Sequence, residues 1–259
     1  GLLIQTITAN PLASPTTLGI TSGASFGAAL AITSGFSIAG ELWLGTVSAA
    51  FAAALLISGA ILKIGHRNGM SPAALILAGI VMNFFFMALQ ELLLYLASPE
   101  TAQLINGWTF GNLERAGKLA AAVPTVALAA ALVVTVPAVW ELTTLSMGEE
   151  RAESLGVPVE KLRLTAFAAA ALLVAAAVSF IGTIGFLGLV APHIARLLLG
   201  DDQRFLLPGT AFTGAALLSG ASLAAKMLSV GSLIPVGIVT SLVGVPFLFF
   251  LLIRSRRML

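Results

Sequence analysis

The sequence predicts an all-α integral membrane protein, a polytopic bundle of helices, and three observations support this fold class. Hydrophobic residues make up 58% of the 259 residues and charged residues only 9%, whereas a soluble domain carries about 25% charged residues. The mean hydropathy is +1.04. The apolar residues fall in runs of about 20, the length that crosses a bilayer. A surface with so little charge has to face lipid, so a single transmembrane domain is expected over residues 1–259.

Eight apolar segments are predicted to form helices, and seven of them are long enough to cross the hydrocarbon core. They are residues 18–38, 42–62, 72–97, 119–139, 164–181, 184–199, 206–225 and 233–253. The segment at 184–199 is predicted to be short or re-entrant because it contains His193 and Arg196. Residues 1–9 are predicted to be the end of one more helix, and an N-terminal piece is expected to be missing.

Lysine and arginine are unequally divided between the two ends of the predicted helices. Ten of the 13 fall on the side of the loop at residues 10–17, and Arg115, Lys118 and Lys226 fall on the opposite side. Cytoplasmic loops carry the excess of basic residues. The side of the loop at 10–17 is therefore predicted to be cytoplasmic, and so is the C-terminus.

Several functional classes are excluded by residues that the chain lacks. It has no cysteine, which removes disulfides and thiolate catalysis. The phosphate-binding pattern GxxxxGK[ST] and the hydrolase patterns HExxH and GxSxG do not occur. No basic patch with interleaved aromatic residues suggests nucleic-acid binding. We therefore expect no catalytic site, no metal site and no cofactor bound by this chain.

A polar loop at residues 148–162 separates two of the predicted spans. Gly148 and Gly156 mark its turns, residues 149–155 are predicted to form one short helix, and residues 158–162 a second that starts at Pro158. Glu149 and Glu150 lie in the first turn, where the helix dipole favours acidic residues. Two interpretations remain open here, a docking device for a cytoplasmic partner and a solvated connector.

Small and polar residues inside the apolar segments indicate close packing and a transport pathway. Gly19, Gly23 and Gly27 share one helix face and predict close helix contact. Glycines at 182, 185 and 188 predict irregular backbone or close contact at membrane depth, and Pro192 predicts a kink. Asn83, Gln90 and Glu91 fall on one stripe of the segment at 72–97. They line a pathway or hydrogen-bond to neighbouring helices, and both readings remain open.

Three motifs in this order resemble the FecCD family of permeases, the membrane subunits of ABC importers for ferric siderophores, haem and cobalamin. The first is QTITANPLASPTTLGI at residues 5–20, with the rigid turn Asn10-Pro11. The second is GEERAESLGV at 148–157, and the third and most specific is GFLGLVAPHIAR at 185–196. LPG at 207–209 and PVGIVT at 235–240 follow in family order. The motif residues of the first and third runs that we single out are Asn10, Pro11, Gly185, Gly188, Pro192, His193 and Arg196.

The resemblance implies an architecture and a set of partners. Members have ten transmembrane helices, so this chain would hold about eight and a stub. It would pair with a second copy or a homologue, and two cytoplasmic ATPase subunits would bind and hydrolyse ATP-Mg. An outer binding protein would deliver the substrate, with Lys226 as a contact candidate. The family often has an acidic residue where Leu233 stands here. The residues implied in ATPase docking are Gly148, Glu149, Glu150, Ala152, Ser154, Leu155, Gly156 and Val157.

The predicted function is therefore that of a permease in the bacterial cytoplasmic membrane that passes an iron–siderophore-type chelate without chemistry of its own. Charge reversal at Glu149 and Glu150, or replacement of Gly156, is expected to uncouple ATP hydrolysis from transport. One alternative is an ion-coupled secondary transporter, for which Glu91 is the one acidic candidate. A further alternative is an intramembrane enzyme. Dependence of transport on ATP separates both alternatives from the importer.

Overall fold

The computed structural model describes residues 1–113, 117–229 and 234–255. Arg115, Leu233, Arg256 and Arg257, which enter the sequence predictions, lie outside these ranges. Twelve helices lie within the described ranges. They are α1 Leu2–Ile7, α2 Ile20–Ser34, α3 Leu42–Arg67, α4 Pro72–Leu96, α5 Pro99–Thr109, α6 Lys118–Thr135, α7 Val139–Ser146, α8 Glu149–Ser154, α9 Val159–Ile181, α10 Leu187–Leu199, α11 Gln203–Leu228 and α12 Val236–Ser255.

The all-α membrane fold is confirmed, although one of the predicted spans, residues 18–38, forms a helix too short to cross the bilayer. Among the described residues, five helices have the required length and apolar character, namely α3, α4, α6, α9 and α11. The expectation of a full span at residues 18–38 was wrong. Gly19 and Gly35 both adopt the left-handed conformation and limit α2 to 15 residues, or about 22 Å. The predicted short segment at 184–199 is α10, with 13 residues.

The second short helix of the polar loop was also wrongly predicted. Residues 158–162 do not form a separate helix, because Pro158 is the N-cap of the long α9. The predicted helix at 149–155 is confirmed as α8, which ends one residue earlier. The second short helix lies before α8 instead. It is α7, which follows a break between residues 135 and 139 in the segment predicted to be continuous.

The core lies between α2, α3 and α9, and small residues let these helices approach closely. A Cβ added to Gly27 would lie 2.5 Å from the carbonyl oxygen of Ala49 on α3, and one added to Gly23 would overlap the end of the Ile57 side chain. Alanines of α9 and Phe167 are buried in the same cluster. The predicted glycine face is therefore a packing face between α2 and α3, whereas Gly19 packs against α4.

Two helices begin inside the bundle rather than at its surface. Gly19, the N-cap of α2, lies against the backbone of Gly79 and Asn83, which are about 10–17 Å along α4 from its start. Phe186, the N-cap of α10, has a φ of 65°, and residues 182–185 before it are not helical. Pro15 meets Gly188 at the start of α10. The irregular segment before α2 therefore lies against the first turn of α10, and residues 182–185 are irregular backbone, as the glycine pattern predicted.

Candidate functional site

The helices α7 and α8 form a small layer at the end of the bundle that holds the loop at 148–162. α7 buries Val139, Leu142 and Leu145, whose spacing of three residues places them on one helix face. α8 buries only Ala152. α7 is therefore fixed to the bundle along one face, while α8 projects from it and exposes most of its side chains.

The exposed surface of α8 and its flanks combines acidic and apolar side chains. Glu150 and Glu153 are exposed, and so are Leu155 and Met147, at 68% and 61% of their full surface. A hollow of about 580 Å³ lies against residues 147–151 and 153. Large apolar side chains beside charges are typical of a surface that binds another protein.

Glu149 lies at the exposed surface, at 45% of its full side-chain surface, but its carboxylate is held by a buried side chain of α9. Its carboxylate oxygens accept hydrogen bonds from both terminal nitrogens of Arg163, at 2.7 Å and 2.9 Å. The Arg163 side chain is only 2% exposed. Hydrogen bonds from this guanidinium lower the pKa of Glu149 below its usual range. Arg163 also donates through Nε to the carbonyl oxygen of Ile7, the last residue of α1, at 3.0 Å.

Gly148 and Gly156 set the direction of α8. Their φ angles are 124° and 80°, values that side chains with a Cβ rarely adopt. The amide of Val157 donates to the carbonyl of Ala152 and that of Gly156 to Glu153, a glycine-capped helix end. The two glycines predicted as turn positions are therefore needed for the backbone path into and out of α8.

Motif residues from opposite ends of the chain line one polar cavity of about 220 Å³ where α1, α7 and α10 meet. Asn10, Pro11 and Arg196 line it together with Gln5. Arg196 pairs with Asp201 at 2.8 Å. Among the described residues, the buried amide of Gln5 has no hydrogen-bond partner on either side-chain atom. Sequence reasoning found these residues one motif at a time and did not predict that they meet.

The other residues of the third motif serve packing. The ring of His193 meets that of Phe247 on α12 edge to face, with centroids 6.1 Å apart. Pro192 is buried inside α10, and Gly188 lies against Pro15. Gly185 has only Ser241 near the position of a Cβ, at 3.6 Å. Within the ranges that the structure describes, no cluster of three or more metal-ligating side chains occurs.

The three candidates for a pathway do not share one environment. Gln90 donates to the hydroxyl of Thr109 on α5 at 3.3 Å, Asn83 contacts Met87 on its own helix, and Glu91 is exposed. Thr109 lines a cavity of about 610 Å³ with Thr183 and Ser241, between α5, the segment before α10 and α12. Sequence reasoning did not single out these hydroxyls, because a Thr or Ser within an apolar segment is not by itself a pattern that indicates a site.

Lys226 lies exposed in the last turn of α11. α11 begins at Gln203, whose backbone N–H donates to the hydroxyl of Thr143 on α7. The two ends of α11 therefore place Lys226 at the opposite side of the bundle from α7 and α8.

The described residues thus form a multi-pass membrane bundle with a polar helix projecting at one end. The chain belongs to the FecCD transport family, whose sequence model matches residues 1–254. It is 37% identical to the cobalamin import system permease protein BtuC of Halobacterium salinarum over 99% of this chain and 68% of that protein. It is 36% identical to the iron(3+)-hydroxamate import system permease protein FhuB of Bacillus subtilis over 99% of this chain and 66% of that protein.

A solved structure has the same fold. It is the inward-facing conformation of a transporter assigned to the metal-chelate type of ABC transporter, with a TM-score of 0.88 and 31% identity over 98% of this chain and 80% of that chain. These likenesses confirm the predicted family. The chain is the permease subunit of an ABC importer, a multi-pass membrane component that is not an enzyme and binds no cofactor of its own.

Proposed function

We propose that this permease carries a metal chelate of the iron–siderophore type into the cell, powered by ATP-Mg that two partner ATPase subunits hydrolyse. The observation that carries the proposal is α8, a short acidic helix that projects from a buried support and belongs to no span. The two relatives named above are permeases for the import of cobalamin and of iron(3+)-hydroxamate, and the similar solved structure is of the metal-chelate type. A substrate of that size favours a path between two permease copies rather than a pocket within one.

The ATPase contact in this proposal is the exposed part of the loop at 148–157. Glu150, Ser154, Leu155 and Gly156 are exposed, together with Arg151 and Glu153. A partner groove with an apolar floor and basic rim would complement them, because charges at a rim steer association and apolar side chains supply contact area. Ala152 and Val157, which the motif also includes, act in this proposal as anchors, since Ala152 is buried and Val157 packs against the core.

The second permease copy covers part of α4 in this proposal. α4 exposes a nearly continuous set of large apolar side chains, which are Leu77, Ile80, Val81, Phe84, Phe85, Met87, Leu92, Tyr95 and Leu96. Asn83, Gln90 and Glu91 lie along the same helix, so a pathway between two copies would have an apolar wall with few polar groups. Such a wall permits passage without tight binding.

The proposed transport cycle uses these contacts. ATP binding would draw the two ATPases together and move α8, and the helices would tilt as rigid bodies to open the pathway on one side and close it on the other. The outer binding protein would deliver the chelate near Lys226. With α8 at the cytoplasmic side, the C-terminus is cytoplasmic as well.

Reconstitution in proteoliposomes with the cognate ATPase and binding protein tests the proposal. The substrates to compare are ferric hydroxamate and catecholate siderophores, haem and cobalamin. We expect uptake of a siderophore that requires ATP and the binding protein, and no uptake with an ATPase variant that binds but cannot hydrolyse ATP. Uptake that does not require ATP and is driven by a proton or sodium gradient would contradict the assignment as an importer powered by ATP. Uptake of cobalamin alone would contradict the siderophore assignment.

A further inference from the structure

Arg163 of α9 is a buried arginine whose hydrogen-bond partners all lie on other elements. It lies in the second turn of α9, and it is the largest charged side chain that is fully buried among the described residues. Burial of a guanidinium is unfavourable unless its donors are paired. Three of its nitrogens have partners on two other elements, namely the carboxylate of Glu149 and the carbonyl oxygen of Ile7.

Both partners are at helix ends. Glu149 is the first residue of α8, and Ile7 is the last residue of α1, whose final carbonyls have no partner within the helix. A cation at a helix C-terminus and a carboxylate at a helix N-terminus are both favoured by the helix dipole. One side chain of α9 therefore joins the start of α8 to the end of α1.

Apart from the pair between Glu149 and Arg163, few side chains hold α8 against the rest of the bundle. Ala152 is the only buried residue of α8, and within the described ranges Glu149 is the only residue of α8 in an ion pair with another helix. The bond is bidentate, so it fixes the orientation of the carboxylate as well as its distance. A rotation of α8 therefore has to pull on Arg163 or break this pair.

The second partner of Arg163, α1, connects it to the interior of the bundle. All six residues of α1 are buried, and α1 runs from the Arg163 contact at Ile7 to Gly1, which lies against the carbonyl of Gly188 in the first turn of α10. A displacement of α1 would therefore reach the first turn of the short helix α10.

We propose that the Glu149–Arg163–Ile7 joint transmits movement of α8 to α1 and α9, so that Arg163 is a positioning residue for coupling and not part of the ATPase contact. The proposal rests on the docking role of α8 proposed above. It divides the loop at 148–157 into side chains that are free to bind the ATPase and one residue, Glu149, whose carboxylate is held by Arg163 and transmits the movement.

Three quantities separate these roles in the reconstituted complex. They are the Kd between permease and ATPase, the rate of ATP hydrolysis, and the amount of substrate transported per ATP hydrolysed at saturating ATPase. We expect Arg163→Lys, which changes a buried side chain, to leave the Kd unchanged. We expect both Glu149→Gln and Arg163→Lys to lower transport per ATP by about tenfold, which lies within typical coupling strengths. Lysine keeps the positive charge but cannot form the bidentate bond.

Two matched variants complete the design. Glu150→Gln removes the same charge one position along the same helix, and it should raise the Kd while leaving transport per ATP at saturation unchanged. Lys161→Met removes an exposed cation from the start of the helix that carries Arg163, and it should change none of the three quantities. Should Arg163→Lys fail to assemble, Glu149→Gln carries the test alone, since it leaves the buried guanidinium bonded to Ile7.

The results against the proposal are distinct. Normal transport per ATP in both Glu149→Gln and Arg163→Lys would overturn the joint and leave ATPase docking intact. A raised Kd with normal transport per ATP in Glu149→Gln would place Glu149 in the ATPase contact and also overturn it. A wild-type complex without ATP-dependent transport would overturn the proposed function and this inference together.

Discussion

At the scale of single residues, the pair between Glu149 and Arg163 gives this region a defined response to acid. The pKa of Glu149 is lowered in the folded protein, chiefly by hydrogen bonds from Arg163. A carboxyl with a lowered pKa stabilises the fold above its unfolded pKa, about 4.3 for glutamate. That stabilisation is lost as the pH falls through the folded value.

The expected result is a stability difference between wild type and Glu149→Gln that is full at pH 7 and shrinks below about pH 4. Glu149 is 45% exposed, so screening by water limits the difference to about 1 kcal/mol. Thermal unfolding in detergent at several pH values measures it. A difference that stays constant between pH 7 and pH 3 would show that the charge of Glu149 does not contribute.

Gly156 supports a second prediction at this scale. Gly156→Ala places a Cβ on a residue with a φ of 80°, which costs an L-residue about 1–2 kcal/mol, although nothing lies within 4 Å of that Cβ. The melting temperature should fall, and transport per ATP should fall with it because α8 is redirected. Gly220→Ala, at an open position inside α11, is the matched control and should be neutral or stabilising.

Residue-scale prediction from the sequence succeeded where the cause is local. Gly148 and Gly156 were predicted as turn positions because glycine tolerates a positive φ wherever it occurs. The partners of Arg163 could not be predicted, because residues 7, 149 and 163 come together only when three helices pack. The same applies to Gln5, Asn10 and Arg196, which share a cavity although they lie up to 191 residues apart.

At the scale of elements, apolar runs located the long helices but not every boundary. α3, α4 and α11 were predicted within a few residues, because a run of about 20 apolar residues has few alternatives in a bilayer. α2 was predicted too long, since Phe36 and Ile38 continue the apolar run after Gly35 has ended the helix. Hydropathy records composition, whereas a left-handed glycine ends a helix by its backbone conformation.

The packing of α2 on α3 predicts an order of effects for three glycine substitutions. Gly27→Ala would bring a methyl group to 2.5 Å from a backbone oxygen, so the helices have to separate, at a cost of about 1–3 kcal/mol. Gly23→Ala meets the end of the Ile57 side chain, which can rotate, and should cost less. Gly59→Ala on α3 has open space and serves as the control. An equal loss of melting temperature for all three would contradict this packing.

At the scale of the whole molecule, the orientation in the membrane is open to direct measurement. Because the chain has no cysteine, a single introduced cysteine reports one position. Ser154→Cys on α8 should react with an impermeant maleimide only after lysis, and Gln103→Cys on α5 should react in intact spheroplasts. Both side chains are exposed, so burial does not confound the comparison. Labelling of Ser154→Cys in intact spheroplasts would reverse the orientation that the basic residues predict.

The whole-molecule fold class was the most predictable feature. Low charge and long apolar runs leave no other fold class for α-helical segments, and the family followed from motifs such as GFLGLVAPHIAR. The arrangement of the helices was not predictable in the same way. It depends on which faces of α2, α3 and α9 meet, and alanine-rich faces such as those of α9 look alike in sequence.

The two short helices have a consequence for how the protein is made. α2 and α10 have 15 and 13 residues, fewer than the roughly 20 that a segment needs to enter the bilayer by itself. These helices therefore depend on neighbours already in the membrane, so biogenesis has to proceed through helix groups rather than one segment at a time. A nascent chain released shortly after α10 would be expected to leave that segment outside the bilayer, where quality-control proteases could reach it.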